Sequence, residues 1–117
     1  MGWIGVDLDG TLAYWPGNGK GWITNAIIGE PIAPMVERVK KWLAEGQEVK
    51  IFTARVSGDE YLVAKNYMAI VAWCNEHIGQ ELEVTCVKDY QMIQLWDDRA
   101  VAVEHNTGKI LGGYSAL

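Results

Sequence analysis

Apolar runs of strand length alternate with segments of helical period along this chain, and the strand-length runs end in residues able to do chemistry. Trp3 to Asp7 reads as a short buried strand that runs into the turn Asp9-Gly10-Thr11. Pro34 suits the first turn of a helix, and Met35, Val36, Val39, Trp42 and Leu43 form an apolar stripe until Gly46 stops it. Val49 to Phe52 is a second strand, ending in Thr53-Ala54-Arg55. Ser57-Gly58-Asp59-Glu60 has the form of a capping box. Behind it, Val63, Tyr67, Ile70 and Cys74 mark one face of a long helix that Gly79 ends. Leu82 to Val87 and Met92 to Trp96 read as two more strands, the latter running into Asp97-Asp98, and Val101 and Val103 suit an edge strand.

Alternation of this kind predicts an α/β fold, a Rossmann-like parallel sheet with helices on both faces. At 117 residues the chain has room for one domain. Ligands of such sheets bind beyond the carboxyl ends of the strands. Asp7, Asp9, Thr53, Arg55, Lys88, Asp97 and Asp98 should therefore meet at one edge, though they lie far apart in sequence. Residues 13 to 33 show no clear period and carry several Gly and Pro, which marks a loop or small β-flap. Its Gly19-Lys20 pair is no P-loop, because Gly21 stands where Ser or Thr is required and Tyr14 where the first Gly belongs.

The formal net charge of −5 argues against a broad phosphate-backbone footprint. Cys74 and Cys86 match no zinc or redox spacing and sit among apolar residues, as reduced core fillers do. No apolar run approaches the ~18 residues of a membrane span, and no basic-then-apolar leader opens the chain. The cytoplasm of a bacterium or a phage-infected host is the expected location.

Several carboxylates at one sheet edge repel each other unless a cation sits between them. Mg²⁺ suits a site of few carboxylates plus a substrate phosphate, which it would polarise. On these residues the chain resembles the haloacid dehalogenase (HAD) superfamily in its phosphatase form. Asp7-Leu8-Asp9-Gly10-Thr11-Leu12 is similar to the first motif, Thr53 to the second, Lys88 to the third and Asp97-Asp98 to the fourth. The resemblance runs from about residue 3 to 104, nearest to small capless members of bacteria and phages.

That resemblance implies a magnesium-dependent phosphomonoesterase. Asp7 would attack phosphorus to form an aspartyl-phosphate, and Asp9 would act as general acid and then base. Thr53 would bind a phosphoryl oxygen, and Lys88 would stabilise negative charge. Mg²⁺ would take the side chain of Asp7, the backbone carbonyl of Asp9 and an acid of the fourth motif, Asp98 directly with Asp97 assisting. Dehalogenation does not need Asp9. Phosphoryl transfer to an acceptor other than water, or a non-catalytic metal-binding module, are the alternative functions.

Only eight residues separate Lys88 from Asp97, so Lys50 and Lys65 stay open as the third-motif lysine. The chain has no room for a cap domain. Selection of the phosphorylated substrate, a small molecule or a nucleic-acid end, then falls to the flap or to another subunit of a homo-oligomer. Trp15 and Trp22 on the flap either cover the site or pin the loop to the body. Arg55 either touches substrate or forms an ion pair, and His77 and His105 read as solvated element ends.

Overall fold

A computed structural model describes residues 2–16 and 25–112. Trp22 and the Gly19-Lys20 pair lie outside these residues. The elements are β1 (Trp3–Val6), α1 (Ala33–Ala44), β2 (Glu48–Phe52), a 3₁₀ turn (Ala54–Val56), α2 (Glu60–His77), β3 (Glu83–Thr85) and β4 (Met92–Trp96). The four strands form one parallel sheet in the order β3-β2-β1-β4, which bears out the α/β reading.

Strand alternation sends Ile4 and Val6 of β1 and Val49 and Ile51 of β2 to one face. There they meet Met35, Val36 and Val39 of α1 and Ile70, Trp73 and Cys74 of α2 in a single core. Both helices therefore pack on the same face, where the sequence suggested one on each. The steps from β1 to β2 and from β2 to β3 run in one direction across the sheet. Right-handed crossovers in one direction leave their helices on one side. The return from β3 to β4 is the six residues 86–91, too short to hold a crossover helix.

On the second face Trp3 is buried by other means, while Leu95 stays exposed. Trp3 lies under Lys50, whose Nζ sits 4.6 Å from the ring centroid, and beside Phe52 at 6.5 Å. Its indole Nε1 donates to Asp89 Oδ1 at 2.9 Å and so ties the return loop to the sheet. That hydrogen bond, helped by the backbone N–H of Gln91, holds the Asp89 carboxyl below its usual range.

Several local expectations shift. The cap of α2 is Asp59, whose carboxylate accepts from Leu62 N at 3.1 Å, rather than a Ser57–Glu60 box. The buried face of α2 is Asn66, Ile70, Trp73 and Cys74, while Tyr67 is exposed. β3 is shorter than Leu82 to Val87, and Val103 makes only an isolated bridge with Ile110. Cys74 is buried and Cys86 half-buried, and both thiols are free; burial pushes the Cys74 thiol up to about 12. No helix among the described residues is long and apolar enough to cross a membrane.

Candidate active site at the carboxyl edge of the sheet

The first motif is a tight loop hung from the end of β1. Leu8 and Leu12 are both fully buried, and the Leu8 carbonyl accepts from Leu12 N at 3.0 Å and Ala13 N at 2.8 Å. Two buried leucines thus anchor a loop whose polar residues, Asp7, Asp9 and Thr11, are held at the sheet edge. Gly10 has φ +91°, a left-handed conformation that suits glycine. A Cβ there would also come within 2.5 Å of Asp98 Oδ2, so the glycine lets the first and fourth motifs approach.

Thr11 joins those motifs. Its hydroxyl lies 3.4 Å from Asp7 Oδ2 and 3.2 Å from Asp98 Oδ1, and accepts from Asp98 N at 2.9 Å. One hydroxyl proton can serve only one of the two carboxylates at a time. Asp97 turns its Oδ1 to Arg99 N at 2.8 Å, shaping the turn that follows β4. Asp7, Asp97 and Asp98 each offer an oxygen within 4.8 Å of the others. Three close carboxylate oxygens are a donor set that fits a hard divalent cation.

Without a cation the Asp7 carboxyl is pushed up to about 7, first by burial and then by the charge of Asp97, a hydrogen bond with Asp98, and the charges of Asp98 and Asp9. Its ordinary value is 3.8, so the folded protein binds this proton more tightly than the unfolded chain. The resulting stability is complete below about pH 4 and is lost as pH rises through about 7. The metal-free protein should therefore melt lower near pH 8 than near pH 5 in thermal unfolding. Saturating Mg²⁺ should raise the melting temperature by roughly 5 °C or more near pH 8 and by little near pH 5, where protons compete. Asp98→Asn should remove more of that shift than Asp97→Asn. Equal Mg²⁺ shifts at both pH values, or the reverse order of the two variants, would contradict this arrangement.

The second motif arrives from β2. Thr53 is buried at the strand end, and its Oγ accepts from Arg55 N at 3.2 Å, which leaves its hydroxyl proton to donate elsewhere. Arg55 is 3% exposed. Its Nε and Nη2 donate to the two oxygens of Asp9 at 2.7 and 2.8 Å. The Asp9 side chain thus faces Arg55 and stays out of the acidic trio, while its backbone carbonyl remains on the motif loop.

A cavity of about 500 Å³ opens over these groups, lined by Asp7, Asp9, Trp15, Thr53, Ala54, Arg55, Asp98 and Arg99. Trp15 on the flap therefore borders the site. The flap base is fixed by Tyr14 N to Glu30 O and Ile32 N to Leu12 O, both 2.8 Å, and by Trp73 Nε1 to Gly29 O at 2.9 Å.

Lys88 stands apart. It is exposed on the return loop and lines a separate depression with Asp89, Tyr90 and Met92. With no helix after β3, the loop leaves the carboxyl edge at once and runs down the second face to Trp3. Lys50 is paired with Glu83 at 3.1 Å, and Lys65 lies on α2; neither lines the cavity. Among the described residues, the cations that do are Arg55 and Arg99. Sequence reasoning missed Arg99, whose only signal was its place directly after the Asp97-Asp98 pair. It also missed Asn66, which reads as an ordinary helix residue.

The chain matches no protein-family profile, and no curated protein matches it. Among solved structures it is similar to a conserved protein from Bacteroides thetaiotaomicron, with a TM-score of 0.53 and 22% identity over 84% of this chain and 76% of that one. At that identity the likeness is one of fold.

Proposed function

We propose that this protein is a magnesium-dependent phosphohydrolase of the haloacid dehalogenase type, acting on phosphomonoesters through an aspartyl-phosphate on Asp7. The observation that carries the reading is the meeting of Asp7, Asp98 and Thr53, from three separate strand ends, around one cavity beside Asp9.

In this account an Asp7 carboxylate oxygen attacks phosphorus and the bond from phosphorus to the ester oxygen breaks. Asp9 delivers a proton to the leaving oxygen. Water then attacks the phosphorus of the aspartyl-phosphate, Asp9 takes the proton, and phosphate departs with the Asp7 carboxylate restored. Thr53 donates its hydroxyl proton to a phosphoryl oxygen. Asp7, Asp98 and the Asp9 carbonyl would hold Mg²⁺, with Asp97 beside them. When bound, the ion supplies the positive charge that offsets the carboxylates and polarises the phosphoryl group.

The charge-stabilising part that resemblance assigns to Lys88 falls, on position, to Arg99 at the cavity wall. A cavity of about 500 Å³ also exceeds what a phosphoryl group fills, and Trp15 on the flap lines it as well. In this reading Trp15 meets the rest of the substrate.

Release of inorganic phosphate from p-nitrophenyl phosphate and from a panel of phosphorylated metabolites and oligonucleotides tests the proposal. Turnover should require Mg²⁺ and cease on chelation. Turnover that is unchanged by chelation, or absent across the panel, would refute it.

A further inference from the structure

Arg55 is held in a manner that a surface ion pair or a substrate-binding arginine does not require. It is 3% exposed, and Asn66 beside it is 1% exposed. A buried guanidinium is costly unless its donors are satisfied. Here Nε and Nη2 grip both oxygens of Asp9, Nη2 also donates to the carbonyl of Ile27 at 2.7 Å, and Nη1 donates to Asn66 Oδ1 at 3.1 Å. Asn66 Nδ2 donates back to the Arg55 carbonyl at 3.3 Å, which fixes the backbone that carries the guanidinium. Ile27 belongs to the flap, and Arg55 N also bonds Thr53 Oγ.

Asp9 sits on a loop, and a carboxylate there would otherwise sample several rotamers. Among the described residues, Arg55 alone binds its oxygens. A planar fork on a carboxylate fixes the plane and direction of that group, which one lysine ammonium cannot do.

We infer that Arg55, braced by Asn66 and by the flap carbonyl of Ile27, is the positioning residue that aims Asp9 at the reacting phosphoester. The inference rests on the phosphohydrolase reading, in which Asp9 handles the proton. It assigns Arg55 to Asp9 rather than to the substrate, and it makes the aim of Asp9 depend on where the flap base sits.

A double-mutant cycle on turnover tests it, with an alkyl phosphate, whose leaving oxygen needs the proton that Asp9 delivers, and with rates referred to folded protein. Arg55→Lys should lower kcat by roughly 10–100-fold and leave KM within about threefold, because productive orientation is lost while substrate contacts stay. Asn66→Ala should do the same more weakly, and it tests the brace with the Arg55–Asp9 pair left in place. In an Asp9→Asn background both changes should cost less than about threefold, since the group they position is gone.

An arginine that merely supports the fold would cost the same factor in both backgrounds, and one that binds substrate would raise KM in both. Either result overturns the inference. The underlying reading fails in a different way, through an Asp9→Asn protein that turns over as fast as the parent.

Discussion

Asp7→Asn is expected to lower phosphoester turnover by roughly 10⁴-fold or more while making the metal-free protein more stable. The two effects share one cause. The carboxylate proposed to attack phosphorus is also the half-buried one crowded by Asp97, Asp98 and Asp9. An amide of the same shape removes both the proposed nucleophile and the repulsion. The melting temperature near pH 8 without metal should rise, and the gain from Mg²⁺ should shrink, because a direct ligand has lost its charge. Activity lost with stability gained is the mark of a group kept for function at the expense of the fold. A variant that loses activity because it unfolds, or one that keeps its activity, would contradict the role given to Asp7.

Asp9→Asn should lower turnover by roughly 10²–10⁴-fold on alkyl phosphates and by less on aryl phosphates. An alkoxide leaves poorly without a proton, whereas a nitrophenolate needs little help. Mg²⁺ binding should survive, since the contact proposed for Asp9 is its backbone carbonyl. A modest loss of thermal stability should accompany the change. The amide oxygen can still accept one bond from Arg55, but the amide nitrogen is a donor facing the guanidinium's other N–H. Steady-state rates on paired alkyl and aryl substrates give the answer, and a uniform loss on both in single turnover would contradict the acid role.

Much of the fold was legible because its signals are local. β1, β2 and β4 declare themselves as apolar runs ending in polar turns, and α1 shows its Met35, Val36 and Val39 face at helical spacing. The convergence of Asp7, Thr53 and Asp98 followed from parallel strands sharing a carboxyl edge. What the sequence hid depends on contacts across the fold. α2 is apolar around most of its circumference, so spacing alone could not choose its buried face. Asn66 reaching Arg55 and Trp73 reaching the Gly29 carbonyl set that face. The two helices share one side because of strand order, which no local pattern records. Lys88 followed the expected motif order, yet the loop that carries it turns away to Asp89 and Trp3. Arg55 was noted beside Thr53, but its grip on Asp9 joins residues 46 positions apart.

These placements give the two arginines different tests from the lysine. Arg99→Ala should cost on the order of 10-fold in kcat/KM, as loss of one charge at the cavity wall does, whereas Lys88→Ala should stay within about threefold. The reverse order would return the third-motif role to Lys88.

The account stands most directly on a covalent phosphoryl group at Asp7. Quenching the enzyme during turnover with Mg²⁺ and reducing it with borohydride converts an acyl phosphate to an alcohol, so a phosphorylated aspartate becomes homoserine. Peptide mass spectrometry should find homoserine at position 7, dependent on substrate and Mg²⁺. Active enzyme that yields homoserine at another aspartate, or at none while rapid-quench kinetics show a phosphoenzyme burst, would contradict it.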